Sequence, residues 1–249
     1  MKKPLLLLGL IGLLGLLVVT APGASAARPV NVQRETHFRC YVVSSQTPQP
    51  ATTVTLEDQF LGPTTLTVDE PLEFCPPTDK NGEGIADEDE HLTMYGAPQE
   101  LPQHLLVSTE DQFGTHILEV VGARVLLVPT QKLVGNLDFP DRLNHYWCYQ
   151  ANGPRLRNVT VTLEDQFGSD TVRVVQPNLF CNPVEKTVGG VVTPIEEEEV
   201  HLTCYDIKGP QATTATTFGV VNQFETDTFT ITSWNLLCVP TEKTDVEPL

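Results

Sequence analysis

The chain has 249 residues, with 32 acidic against 15 basic and a formal net charge of −17 at pH 7. So acidic a balance repels phosphate backbones, whose binding depends on Lys and Arg. Nucleic acid and anionic membranes are therefore excluded as partners, while cations and basic partners stay open.

Residues 1–26 read as a signal peptide. Lys2 and Lys3 make a short basic start, Leu5–Val19 is apolar with only Gly as relief, and Ala24-Ser25-Ala26 supplies the small residues a signal peptidase needs. The apolar run is short of the roughly 20 residues that a spanning helix requires. No later stretch reaches that length, so the mature chain is expected to be secreted or periplasmic and not membrane-spanning. Without the two leader lysines, 13 basic residues face 32 acidic ones and the formal charge becomes −19.

After the leader one pattern recurs four times. It opens on His37 (HFRCY), His91 (HLTMY), His145 (HYWCY) and His201 (HLTCY), at spacings of 54, 54 and 56 residues. A central phrase follows: VTLEDQF at 54–60, STEDQF at 108–113, VTLEDQF at 161–167 and VVNQF at 220–224. Each copy closes on Cys or Leu, then x-P-x-x-K, ending at Lys80, Lys132, Lys186 and Lys243. Matches at so many fixed offsets indicate internal duplication. The expected units are 27–82, 83–137, 138–190 and 191–249.

Three copies carry two cysteines each: Cys40 with Cys75, Cys148 with Cys181, and Cys204 with Cys238. The second copy has Met94 and Leu127 there, so both members are lost together while His91 remains. Paired loss predicts a disulfide inside each of three copies rather than a His/Cys/Cys metal site. Closing a loop of this size contributes about 3.5–4 kcal/mol in the chain-entropy model.

Between the anchors the apolar period is two, as in Asn158-Val-Thr-Val-Thr-Leu163 and Thr228-Phe-Thr-Ile-Thr232, and Val and Thr suit a pleated, half-buried surface. Each unit is expected to form about four short antiparallel strands. The first begins at H-x-x-C-Y, a turn at D-Q-F-G joins the second and third, and Pro stops the fourth. Asp at the turn bonds its side-chain oxygen to nearby backbone N–H groups, and Phe60, Phe113, Phe167 and Phe224 anchor each small core. Asn222 stands where Asp58, Asp111 and Asp165 stand elsewhere; a turn accepts that exchange, whereas a base or metal ligand does not.

The opening strand has two faces. One carries Cys40, Met94, Cys148 and Cys204 with Phe38, Leu92, Tyr146 and Leu202, and is expected to face the core. The other pairs His37 with Tyr41, His91 with Tyr95, His145 with Tyr149 and His201 with Tyr205. That row is expected to be hydrogen-bonded pairs packed on a linker or a neighbouring unit, the alternative being a ligand-binding or pH-sensing row. A unit of this size buries too little surface alone. Units are therefore expected to pack in pairs, most simply first with second and third with fourth, giving two β-sandwich or barrel-like halves, the alternative being one continuous array. The fold class is all-β, antiparallel and disulfide-stapled.

The loop DKNGEGIADEDE, Asp79 to Glu90, has the spacing of an EF-hand-type calcium loop, with Asp79, Asn81, Glu83, Asp87 and Glu90 at positions 1, 3, 5, 9 and 12. Against it stand the long Glu at the fifth position, Ile85 one place early and the absence of flanking helices. A solvated acidic turn is the favoured reading, so no cofactor is expected and calcium is the alternative. No catalytic motif is present. His104 and His116 complete the six histidines, and no enzymatic activity is expected.

The set H-x-x-C-Y, D-Q-F-G and C-x-P-x-x-K resembles an uncharacterised family of secreted bacterial proteins built from the same tandem unit. The resemblance spans about Thr36 to Thr244 and implies export and a β-rich repeat, with no activity or site residues to carry over. The expected role is structural or binding, as adhesion or scaffold, toward an extracellular or periplasmic protein or glycan. The alternatives are a calcium-dependent binding module and an unrecognised secreted hydrolase lined by residues that break the repeat.

Overall fold

The computed structural model describes residues 36–47, 51–133, 140, 142–211 and 215–249; the expected signal peptide lies outside them. The described residues form strands and turns with no helix, as the period-two pattern requires. The first motif copy supplies β1 (His37–Ser45), β2 (Thr52–Glu57), β3 (Thr64–Val68), β4 (Pro71–Cys75) and β5 (Pro77–Lys80). The second supplies two long strands, β6 (His91–Asp111) and β7 (Gly114–Lys132). The third supplies β8 (Tyr146–Asn152), β9 (Thr160–Asp165), β10 (Gly168–Pro183), β11 (Glu185–Val188) and β12 (Val191–Thr193). The fourth supplies β13 (His201–Lys208), β14 (Thr216–Val221) and β15 (Thr226–Pro248).

Eight of these strands close on themselves. β1, β4, β6, β7, β8, β10, β13 and β15 pair antiparallel in that order, and β15 returns to β1. The expectation of two separate halves is therefore corrected: one barrel uses two strands from every copy. An eight-stranded barrel has an interior that side chains just fill. Here the filling is the inward face of the opening strands, with Phe38, Leu92, Tyr146 and Leu202 packed on three disulfides. Cys148 lies directly across from Cys181, Cys204 from Cys238, and Met94 from Leu127. The second copy thus replaces a bond with an apolar contact at the same cross-strand position.

The strands outside the ring form four hairpins: β2–β3, the outer parts of β6–β7, β9 with the start of β10, and β14 with the start of β15. A lone hairpin is marginal in water, and each gains a third strand from the copy two places away. Lys80 of β5 pairs with Leu163 of β9, and Lys186 of β11 with Leu56 of β2. Lys132 of β7 pairs with Val220 of β14, and Lys243 of β15 with Thr109 of β6. Pro was expected to end each unit's last strand. Instead Pro129 and Pro240 stand where β7 and β15 leave their barrel neighbours for the hairpin of the opposite copy. A residue without an N–H is tolerated at such a change of partner.

Both faces of the opening strands are consequently buried. Val54, Leu56, Val107 and Leu118 from the first two hairpins cover Tyr95, Trp147 and Tyr149 in one outer core. Val161, Val172, Phe218 and Phe229 from the other two cover Tyr41, Tyr205 and Trp234 in a second.

Candidate functional site

The repeated polar residues converge where each hairpin tip meets the barrel wall. Asp58 Oδ1 accepts the Phe60 and Leu61 N–H groups at 2.9 Å, Asp111 Oδ1 the Phe113 N–H at 2.7 Å, and Asp165 Oδ1 the Phe167 N–H at 2.8 Å. Asn222 Oδ1 does the same for Phe224 at 2.8 Å. Gly114 and Gly168 have φ of 118° and 144°, backbone that a side chain disfavours. The other carboxylate oxygen reaches across the molecule. Tyr149 donates to Asp58 at 2.9 Å, Tyr41 to Asp165 at 2.9 Å and Tyr205 to Asp111 at 2.5 Å. Each tip phenylalanine meets the same tyrosine edge to face: Phe60 with Tyr149, Phe113 with Tyr205, Phe167 with Tyr41 and Phe224 with Tyr95, at 5.0–5.2 Å. The first and third copies exchange tips, as do the second and fourth.

Histidine and tyrosine are not bonded to each other as expected; the histidines meet a different tip. Gln112 contacts His37 Nε2 and Gln166 lies 2.9 Å from His91 Nε2, whereas the buried Nε2 atoms of His145 and His201 have no hydrogen-bond partner among the described residues. His91 and His201 also bond through Nδ1 to the Asp89 and Glu199 carbonyls and stack on Phe74 and Phe180. Burial lowers the histidine pKa to about 4 at His37, His91 and His201 and to about 3 at His145. All four rings are therefore neutral at neutral pH. Three of the four motif lysines lie over tip rings, Lys132 on Phe167, Lys186 on Phe224 and Lys243 on Phe60, at 5.1–5.2 Å. Burial brings Lys186 and Lys243 down to about 8. In this constellation turn, ring, carboxylate and ammonium satisfy one another, and its chemistry is that of a clamp.

The fourth tip departs from the pattern. Asn222 Nδ2 donates to the Tyr95 hydroxyl at 2.6 Å, so the hydroxyl proton goes instead to Glu225 Oε1 at 2.5 Å. Glu225 is buried, its Oε2 has no partner, and burial raises its carboxyl pKa. A cavity of about 550 Å³ opens beside it, lined also by Asp69, Glu70 and Arg124.

The residues of the acidic loop stay apart. Asn81, in left-handed backbone at φ 59°, accepts the Thr162 N–H at 2.9 Å; Glu83 meets Lys80; Asp87 accepts the Asp89 N–H at 2.9 Å; Glu90 accepts the Thr36 hydroxyl. Asp79 sits in the β5–β9 ladder opposite Glu164. Among the described residues the carboxylates of Asp79, Glu83, Asp87 and Glu90 do not come together as a group of three or more ligand atoms within 4.8 Å of one another.

Sequence reasoning passed over Arg39, at a position that varies among the copies. It is fully buried and clamps the third tip through Asp165 at 2.8 Å, Asp170 at 2.9 Å and the Gly168 carbonyl at 2.7 Å. Its place on the outward face with His37 and Tyr41 was the signal available. Among the described residues no helix is long and apolar enough to cross a membrane.

Tips traded between copies make sense only in a chain of repeats, and comparison with known proteins agrees. No curated protein and no solved structure matches the chain. A family model described as a repeat of unknown function (DUF7450) matches residues 91–240, more than half of the chain, which therefore belongs to that family.

Proposed function

We propose that the chain is an exported, disulfide-stapled β-repeat protein with a structural or binding role outside the cytoplasm, as scaffold or adhesin. One observation carries this reading. Most of the polar groups that recur, the tip Asp and Gln and the wall His, Tyr and Lys, are spent on one another inside the fold, the Nε2 atoms of His145 and His201 and the Lys80 ammonium excepted. What the repeats multiply is a rigid β-surface rather than a reacting group. Three disulfides with no free cysteine are compatible with an oxidising compartment.

The test is expression with the leader in a bacterial host, followed by N-terminal sequencing and thiol titration of the denatured product. Protein recovered outside the cytoplasm, beginning at Ala27 and without titratable thiol, supports the reading. Protein that keeps residues 1–26 and free cysteines overturns export. The hydrolase alternative draws on Glu225 and its cavity. Turnover of ester, glycoside or peptide substrates that Glu225→Gln abolishes would replace the structural reading.

A further inference from the structure

The two ends of the barrel differ. At one end the linkers close over the interior: Asn144 donates to the Glu197 carbonyl at 2.7 Å, its Oδ1 accepts the Glu196 N–H at 2.8 Å, and Thr36 meets Glu90. About 30 Å³ is left there. At the other end a mouth of about 450 Å³ is open, within the size range of small-molecule sites. Its floor is Met94, Val125, Leu179 and Leu236, and its rim is polar, with Gln150, Asn178, Asp206 and Asn235 among its side chains.

One wall residue breaks the pattern. Two positions before the closing Cys or Leu, three copies place Val125, Leu179 and Leu236, and the first places Glu73. Glu73 is 8% exposed. Its Oε1 accepts the Asn235 amide at 2.8 Å, while Oε2 has no partner. The carboxylate lies within 4.8 Å of the sulfurs of the Cys40–Cys75 disulfide, so the side chain points into the barrel. An unpaired buried charge is costly, and burial raises this carboxyl's pKa. An aliphatic side chain would avoid that cost, as it does in the other three copies.

We propose that the open barrel mouth is a binding site for a small organic cation, a primary ammonium whose head pairs with Glu73. The terminal torsion of a Glu side chain is soft, so either oxygen can turn toward the mouth. An ammonium carries three donors, and the rim of the same mouth offers the Asp206 carboxylate and side-chain amides as further acceptors. The cation that faces the mouth, Arg124, is turned onto Gln150 with Nε 3.2 Å from Oε1. A hard metal ion fits less well. The group formed by Cys40, Glu73 and Cys75 has both sulfurs in a disulfide, leaving one carboxylate where calcium takes six or more oxygens. The site is independent of export and of the scaffold role.

The experiment is a two-dimensional ¹H–¹⁵N NMR titration of the full-length mature protein with butane-1,4-diammonium, with butane-1,4-diol as the uncharged control. Saturable shifts confined to the amides of residues 72–73, 150, 178, 206 and 235, absent with the diol, are expected. Glu73→Leu installs the side chain found in two other copies, and Glu73→Gln keeps an acceptor for Asn235 but removes the charge. Each should weaken binding at least about tenfold, the equivalent of 1.4 kcal/mol. The pair keeps the test decisive if one variant misfolds. No saturable shift at millimolar diammonium, equal shifts with the diol, or undiminished binding by a folded Glu73 variant would overturn the proposal.

Discussion

The fourth tip offers a test of how the clamp works. Where three tips set a carboxylate against the wall tyrosine, this one sets Asn222 and passes the Tyr95 proton to Glu225. The two departures should therefore be coupled. Glu225→Leu alone, copying Leu61 of the first tip, leaves the buried hydroxyl proton without an acceptor and should cost about 1–3 kcal/mol. Asn222→Asp alone places two carboxylates on one hydroxyl in a buried site, so one must stay protonated. At about 1.4 kcal/mol per pKa unit this should cost about 2–4 kcal/mol at pH 7. The double variant rebuilds the first tip, in which Asp58 accepts from Tyr149 and Leu61 packs on the outer core. It should lie within about 1 kcal/mol of the parent, a coupling of at least about 2 kcal/mol. Urea denaturation of the oxidised protein, followed by Trp fluorescence and circular dichroism, measures the cycle. In melting temperature each kcal/mol is about 2–4 °C at this size. Costs that add within about 0.5 kcal/mol would refute the shared-proton account.

Arg39→Ala strips the buried partner from Asp165 and Asp170 and should cost about 3–5 kcal/mol; a loss below 1 kcal/mol in the same assay contradicts the clamp. Cys148→Met with Cys181→Leu copies the second repeat's apolar pair into the third, and should lose about 2–4 kcal/mol while keeping the fold. Unchanged stability would mean that the bond contributes nothing beyond its contact. The buried histidines make stability fall with acid. Their folded pKa values of about 3–4 lie below the ordinary 6.5, so the unfolded chain binds more protons in between. Stability is fully present above 6.5 and is lost as pH drops toward 4, with a slope of up to about 1.4 kcal/mol per pH unit for each ring. The raised carboxyls of Asp58, Asp111 and Glu225 act in the opposite sense. His145→Gln should flatten the melting curve between pH 6.5 and 4; an unchanged pH profile would show that His145 is not buried in the neutral form.

The letters alone carried most of the local structure, though not the partners of the histidines or the path of the chain past Pro129 and Pro240. Period-two runs of Val and Thr give strands, an Asp or Asn two residues before Phe gives a capped turn, and paired loss of Cys at Met94 and Leu127 tells which thiols face each other. These are properties of a few adjacent residues or of one copy compared with the next, and need no fold to be read. The partners of the tips are different in kind. Asp58 and Tyr149 are 91 residues apart, and any of the four tips carries letters that would suit any of the four tyrosines. Local chemistry is degenerate among those choices. Only closure of eight strands into one ring, which sets the first copy opposite the third and the second opposite the fourth, decides between them. The same closure turns one end of the barrel into a sealed floor and the other into an open mouth. Glu73 was invisible for a related reason. It stands two residues before Cys75 and so shares that residue's strand face, but the open mouth that this face lines exists only once the ring is closed.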